Sequence, residues 1–231
     1  MIIKFDHIAL TCKISEWKDE LAKLSDYIQV FANENVPNLP LKKDLMSTWH
    51  ENHVIALLVA KNDLPIEITA YDTVAEKPAK YEFSDDTVSV YTKSTEDSMA
   101  FYEAFGFRKT GDFELEKSFL IAPSSVKLRL RQTIHDASIA SAEKGSDFDQ
   151  ADAGTCDAPQ MPCLDQAGYC CLAFVTNNAE KERTRLIQKG ITVTEIDELT
   201  LGEKILKIFF AYNTCGDVCE LIEVLDKGVT K

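Results

Sequence analysis

The sequence predicts an α+β protein built from repeated βαβββ modules that pair into curved, partly closed mixed sheets. Residues 5–11 (FDHIALT) and 64–71 (LPIEITAY) alternate with the two-residue period of a strand. The order strand, helix, then about three strands occurs three times, at an interval of roughly sixty to eighty residues. Each such unit makes a small half-covered sheet whose open face needs a partner, so pairing is expected.

In the first strand Phe5, His7, Ala9 and Thr11 share one side and Asp6, Ile8 and Leu10 the other. Ser15 is the expected N-cap of a helix in which Trp17, Leu21, Leu24, Ile28 and Phe31 recur every three or four residues, until Pro37 and Pro40 break it. Strands resume at 53–59 and 64–71, where Glu67, Thr69 and Tyr71 oppose Ile66 and Ile68. A charged connector at 75–86 leads to a strand at 87–91. The next helix is capped by Ser94, runs through Met99, Tyr102 and Phe105, and ends at Gly106, where a left-handed residue is wanted. Strand-like pieces follow at 107–109, 113–121 and 126–131.

Residues 134–166 are dominated by Ala, Ser, Asp and Gly and read as a linker or long loop, with room for a short Ala-rich helix at 136–144. The third unit has a strand at 169–175, a helix capped by Asn177 or Asn178 and closed by Gly190, and strands at 191–196, 205–212 and 218–225. The expected division is therefore 1–74 for the first module, 75–133 for the second, 134–167 for the linker and 168–231 for the third.

A chain of 231 residues, 45% hydrophobic and 27% charged, is long enough for one large core or two smaller ones. A net charge of −13 makes its average surface repel phosphate backbones and anionic lipid, which argues against nucleic acid and membrane surfaces as partners. No apolar run approaches the ~20 residues of a membrane span, and Met1 leads straight into a strand, so a cytoplasmic protein is expected. Seven cysteines, an odd number in a chain too long to need stapling, fit reduced thiols; without paired Cys-x-x-Cys sets they do not form a structural zinc site.

Four stretches carry a family resemblance: DHIAL at 6–10, PIEI at 65–68, MAFYEAFGF at 99–107 and CELIE at 219–223. In order and spacing they resemble the vicinal oxygen chelate superfamily of glyoxalase I, bleomycin-resistance proteins and extradiol dioxygenases, over nearly all the chain outside the linker. The resemblance implies modules whose curved sheets enclose one cavity, with metal ligands on the first and last strand of each. It places ligands at His7 and Glu67 in the first unit and at Glu220 in the third. Cys171, or Cys170 in a shifted register, stands where the third unit would carry a histidine. The second unit departs altogether, with Thr87 and Arg129 at the two positions. His7, Glu67 and Glu220 suffice for a divalent ion if the first and third units meet, within one chain or across a homodimer.

The implied function is a metal-dependent lyase, isomerase or dioxygenase acting on a small oxygenated molecule. The ion serves as Lewis acid toward neighbouring substrate oxygens and Glu220 doubles as a proton shuttle. The alternative is a metal-free binding or antibiotic-resistance protein that sequesters a small compound in the same cavity, with Glu67 and Arg129 as polar anchors. His7 also reads as a core histidine bonded to a carbonyl, and Glu67 as the partner of Arg129 in an ion pair. Arg129 and Arg131, on one side of their strand, are either a solvated edge or a fork for a substrate carboxylate or phosphate. Tyr71 is a candidate wall of the substrate cavity. His50 and His53 read as surface or turn residues, with His53 able to point into the first unit's cavity.

Overall fold

A computed structural model describes residues 1–60, 64–76, 79–84, 87–121, 125–133 and 162–227. The helix expected at 136–144 and His135 lie outside them. The first module comprises β1 (Ile2–Lys13), α1 (Trp17–Lys23), β2 (Ile28–Pro37), β3 (Asn52–Val59) and β4 (Ile66–Tyr71). After β5 (Tyr81–Ser84), the second comprises β6 (Thr87–Thr92), α2 (Thr95–Ala104), β7 (Arg108–Gly111), β8 (Glu114–Ser118) and β9 (Ser125–Gln132). The third comprises β10 (Gly168–Thr176), α3 (Ala179–Gln188), β11 (Thr192–Val193), β12 (Asp197–Leu201), β13 (Lys204–Tyr212) and β14 (Val218–Asp226).

In every module the first strand runs parallel to the last: β1 with β4, β6 with β9, β10 with β14. The first and third modules join through their first strands, β1 lying antiparallel to β10 from Ile2 opposite Thr176 to Thr11 opposite Gly168. The second module hangs on through β5, which sits beside β6 and touches β10 at a single pair, Tyr81 with Tyr169. The charged connector thus contains a strand the alternation did not reveal.

Local signals hold for two helices and fail for one. Ser94 Oγ accepts the amide N–H of Asp97 at 3.2 Å, and Asn178 Oδ1 that of Lys181 at 2.7 Å, capping α2 and α3. Gly106 and Gly190 follow those helices at φ 90° and 78°. The helix expected from Ser15 to Phe31 stops at Lys23, with Glu16 rather than Ser15 at its N-cap. Ile28 and Phe31 instead belong to β2, opposite Val59 and Leu57. Ile28, Val30 and Val36 are β-branched, and pairing along the edge of β3 overrides a helical spacing that had no cap to anchor it.

One core lies between the sheet and its helices. Phe174 is its hinge, with Phe5, Phe105, Phe107 and Phe119 all 5.6–6.1 Å away between ring centroids, so residues of all three modules meet there. A smaller cluster on the opposite face of the first and third modules includes Ala9, Leu45, Leu164, Cys171, Ala173 and Phe210. Among the described residues no helix is long and apolar enough to cross a membrane.

Candidate metal centre

Four adjacent strands, in the order β4, β1, β10, β14, form the floor of the second face. Strand pairing sets Glu67 beside Ala9, Ala9 opposite Cys171, His7 opposite Ala173, and Ala173 beside Glu220. The two alanines occupy the middle of this pattern and leave space above themselves, while the longer side chains lean in from its corners. Neighbouring strands are ~4.8 Å apart, so side chains from β4 and β14 can both approach His7 on β1 only by leaning inward. His7 Nε2 lies 3.7 Å from Glu67 Oε1 and 3.6 Å from Glu220 Oε2.

Two bulges make this arrangement. Asp6 is the extra residue on β1 between the pairs Phe5–Phe174 and His7–Ala173, and Cys170 is the extra residue on β10 between Cys171–Ala9 and Tyr169–Leu10. The first bulge turns Phe5 into the helix-side core while Ala9 and Thr11 line the cavity and His7 reaches Glu67 and Glu220, so the four do not share one face as strict alternation implied. The second brings Cys170 and Cys171 to the same cavity instead of opposite faces.

His7 is almost wholly buried. Its Nδ1 lies 3.1 Å from Asp6 Oδ2; burial works against an ionised Asp6, but His7 and Lys4 outweigh it and hold the carboxyl below its usual range. An ionised carboxylate can only accept, so Nδ1–H donates and Nε2 is turned toward Glu67 and Glu220, without a hydrogen-bond partner. Burial disfavours charge on His7, yet Glu67, Asp6 and Glu220 together raise its pKa well above the ordinary histidine value. Burial raises Glu67, with His7 opposing and Glu220 reinforcing, and Thr69 Oγ1 donates to its Oε1 at 3.1 Å.

Among the described residues no group of three or more His, Cys, Asp or Glu side chains is placed to hold a metal ion. Ligands ~2.1 Å from one tetrahedral ion stand ~3.4 Å apart, a few tenths of an ångström less than the two distances from His7 Nε2 to Glu67 and Glu220. A buried imidazole nitrogen without a partner, faced by two carboxylates and oriented from behind by a third, is a donor set suited to a divalent cation.

The space above is small. Ala9, Thr11, Lys42, Glu67, Tyr71, Leu164, Phe210 and Glu220 are among the walls of a cavity of about 20 Å³, enough for one ion or water. Its roof joins two loops. Asp165 accepts from Ser47 N at 2.7 Å, Ser47 Oγ at 2.6 Å and Thr48 N at 2.9 Å, and Leu164 N donates to Leu45 O at 2.8 Å. These bonds tie residues 164–165, expected in the linker, to the first module. Tyr71 lines the cavity as expected, and the rings of His50 and His53 stack on it at 5.0 and 5.5 Å between centroids. Both histidines are buried, which corrects their reading as surface residues; burial, helped by Lys42, pushes His53 down to about 2.

Arg129 and Arg131 stand apart from this centre. Arg129 Nε and Nη2 donate to Glu114 Oε1 at 3.1 and 2.9 Å on an exposed face of the second module, and Arg131 Nε donates to Ser89 Oγ at 3.1 Å. The ion pair considered between Glu67 and Arg129 is thus replaced by Glu67 with His7 and Glu114 with Arg129. A larger hollow of about 1080 Å³, between α3 and the end of α2, contains none of the expected site residues.

Sequence reasoning missed Asp6, Lys42, Asp165 and Phe210. Asp6 could have been found as a carboxylate adjacent to the candidate histidine. The other three have no local signal, because they arrive from loops and from β13.

No family model matches the chain, and no curated protein matches it. Among solved structures it is similar to a glyoxalase I mutant from Zea mays, at 15% identity over 95% of this chain and 67% of that one, with a TM-score of 0.35. It is similar to methylmalonyl-CoA epimerase from Mycobacterium tuberculosis, at 11% identity over 96% and 88%, TM-score 0.41. An integron cassette protein of V. cholerae is similar at 16% identity over 62% and 96%, TM-score 0.36.

Proposed function

We propose that the chain is a vicinal oxygen chelate protein whose first and third modules hold one divalent metal ion, and that it acts as a lyase, isomerase or dioxygenase on a small oxygenated molecule. The observation that carries this reading is the unpartnered His7 Nε2, buried and facing Glu67 and Glu220 at 3.7 and 3.6 Å. His7, Glu67 and Glu220 would hold the ion, which supplies Lewis acidity toward two adjacent substrate oxygens when bound.

The chain's own groups do the rest. Asp6 fixes the ring of His7 through Nδ1. The Glu220 carboxylate would take a proton from a carbon next to a carbonyl and return it to the neighbouring carbon. Tyr71 is a wall of the same cavity. A molecule of several carbons does not fit a space of about 20 Å³, so it enters with displacement of the roof at Lys42 and Leu164. The small molecule is the expected partner, in a reducing cytoplasm that keeps the thiols reduced. A homodimer remains part of the proposal, and gel filtration showing only monomer would remove it.

Metal analysis of protein purified without chelators tests the reading: wild type carries or takes up about one equivalent of divalent metal, and His7→Ala and Glu67→Gln lose it. A second reading has one observation in its favour: His7 lies between Glu67 and Glu220, whose charges favour its protonated form, and that form would neutralise the site without an ion. In that case the protein is a metal-free binding or resistance protein. A wild type that stays metal-free after addition of metal favours it.

A further inference from the structure

We propose that the open hollow of about 1080 Å³ between α3 and the end of α2 is a second ligand site, built to take a small organic phosphate monoester. The inference goes beyond the metal reading above and shares no residue with it.

Charge is the first argument. The chain carries a net −13, yet the side chains lining this hollow include four cations, Lys117, Lys181, Arg185 and Lys189, and two acids, Glu180 and Glu182. Glu182 is almost wholly buried and already neutralised, its Oε1 accepting from Arg185 Nη2 at 2.5 Å and from Nε at 3.1 Å. Three lysines then face a single exposed acid, an excess of two positive charges that matches the charge of a phosphate monoester. Lys181, Arg185 and Lys189 recur at every fourth position, which aligns them along one side of α3 and its C-cap.

Geometry is the second. The last turn of α2 borders the hollow, and bare carbonyls there would repel an anion. They are covered: Arg185 Nη1 donates to Ala104 O at 2.8 Å and Lys117 Nζ to Phe105 O at 2.6 Å. Lys117 is half-buried; beside that carbonyl it has the ring of Phe119 at 5.3 Å, and among the described residues no carboxylate pairs with it. Burial pushes its pKa down, as it does for an ammonium short of counter-charge. One of its three N–H donors is used, so two remain for a phosphate oxygen. Gly106 keeps the ammonium within reach: at φ 90° a Cβ there would stand 2.9 Å from Lys117 Nζ. The volume is that of a site for a small organic molecule, far more than an inorganic ion fills, and Ile2, Ala104 and Phe105 supply apolar lining for its body.

Calorimetric titration of the intact chain with phenyl phosphate, at low salt and with a chelator present, tests this. Wild type should bind it, and more tightly than inorganic phosphate or benzoate. Lys117→Met, which keeps an apolar stem and removes the ammonium, should weaken binding about 10-fold or more, as loss of a charge-assisted hydrogen bond does. Lys189→Met should weaken it by less, and Lys43→Met, which deletes an exposed charge away from the hollow, should leave it unchanged. If Lys117→Met does not fold, Lys189→Met against Lys43→Met decides. Wild type that does not bind phenyl phosphate, that binds inorganic phosphate or benzoate as tightly, or whose affinity survives Lys117→Met or falls equally in Lys43→Met overturns the inference. With metal removed by the chelator, none of these outcomes touches the metal reading, and His7→Ala should bind phenyl phosphate as wild type does.

Discussion

The face shared by the first and third modules and the matching face of the second are built on the same βαβββ frame and have opposite characters. Where the first has Ala9 beside Glu67 and the third Ala173 beside Glu220, the second has Ser89 beside Arg129. His7 corresponds to Thr87. The strand along β1 is the first strand of another module, whereas the strand along β6 is the short β5. The second face therefore stays open, and Arg129 satisfies itself with Glu114 in water. A face of this fold becomes a candidate site when two first strands lie side by side, small residues stand at the middle of the pattern, and the corners carry donors. The second module keeps a small residue, Ser89, in the middle but meets neither of the other conditions.

Breaking the attachment between the two regions should have the largest effect. Asp217 is wholly buried between modules, with Lys80 Nζ at 2.8 Å, Asn213 Nδ2 donating at 2.8 Å and the hydroxyl of Ser98 also donating to it. Asp217→Ala leaves Lys80 with an uncompensated buried charge and should cost about 3–5 kcal/mol in urea unfolding. Metal uptake at low denaturant should survive, because no ligand belongs to this cluster.

Filling the middle of the pattern comes next. Ala173→Leu should destabilise by about 1–3 kcal/mol through overpacking and abolish metal uptake in a dialysis assay. Ser89→Leu, the equivalent change on the open face, should stay within about 0.5 kcal/mol and leave uptake intact. Equal costs at the two positions would mean that the faces do not differ as described.

Asp165 sharpens the contrast through pH. Burial raises its pKa, but the bonds from Ser47 and Thr48 outweigh that and lower it, so its folded value lies below its unfolded one. Its stabilisation is present above the unfolded value of ~3.9 and is lost as pH falls through the folded value. Acid titration followed by Trp49 fluorescence should lose part of its steepness below about pH 4 in Asp165→Asn, which also loosens the roof. The smallest effect belongs to Arg129→Ala: its exposed pair with Glu114 is worth at most about 1 kcal/mol, and metal uptake should not change.

Much of the frame was legible because strand alternation, the caps Ser94 and Asn178, and the closing glycines are local signals. His7, Glu67 and Glu220 could be named because a resemblance fixed their places, but their meeting depended on β1 finding β10, a pairing across more than a hundred and fifty residues. The bulges at Asp6 and Cys170 were not legible, since one inserted residue changes the face of a side chain without changing the apolar pattern. The false extension of α1 has the converse cause: Ile28 and Phe31 fit a helical spacing by coincidence, and only β3 decides that they are a strand.

Anomalous diffraction from crystals grown with zinc tests the central claim most directly. One strong peak should lie ~2.1 Å from His7 Nε2 and in contact with carboxylate oxygens of Glu67 and Glu220. Zinc bound elsewhere, with His7 Nε2 hydrogen-bonded directly to a glutamate, would contradict it.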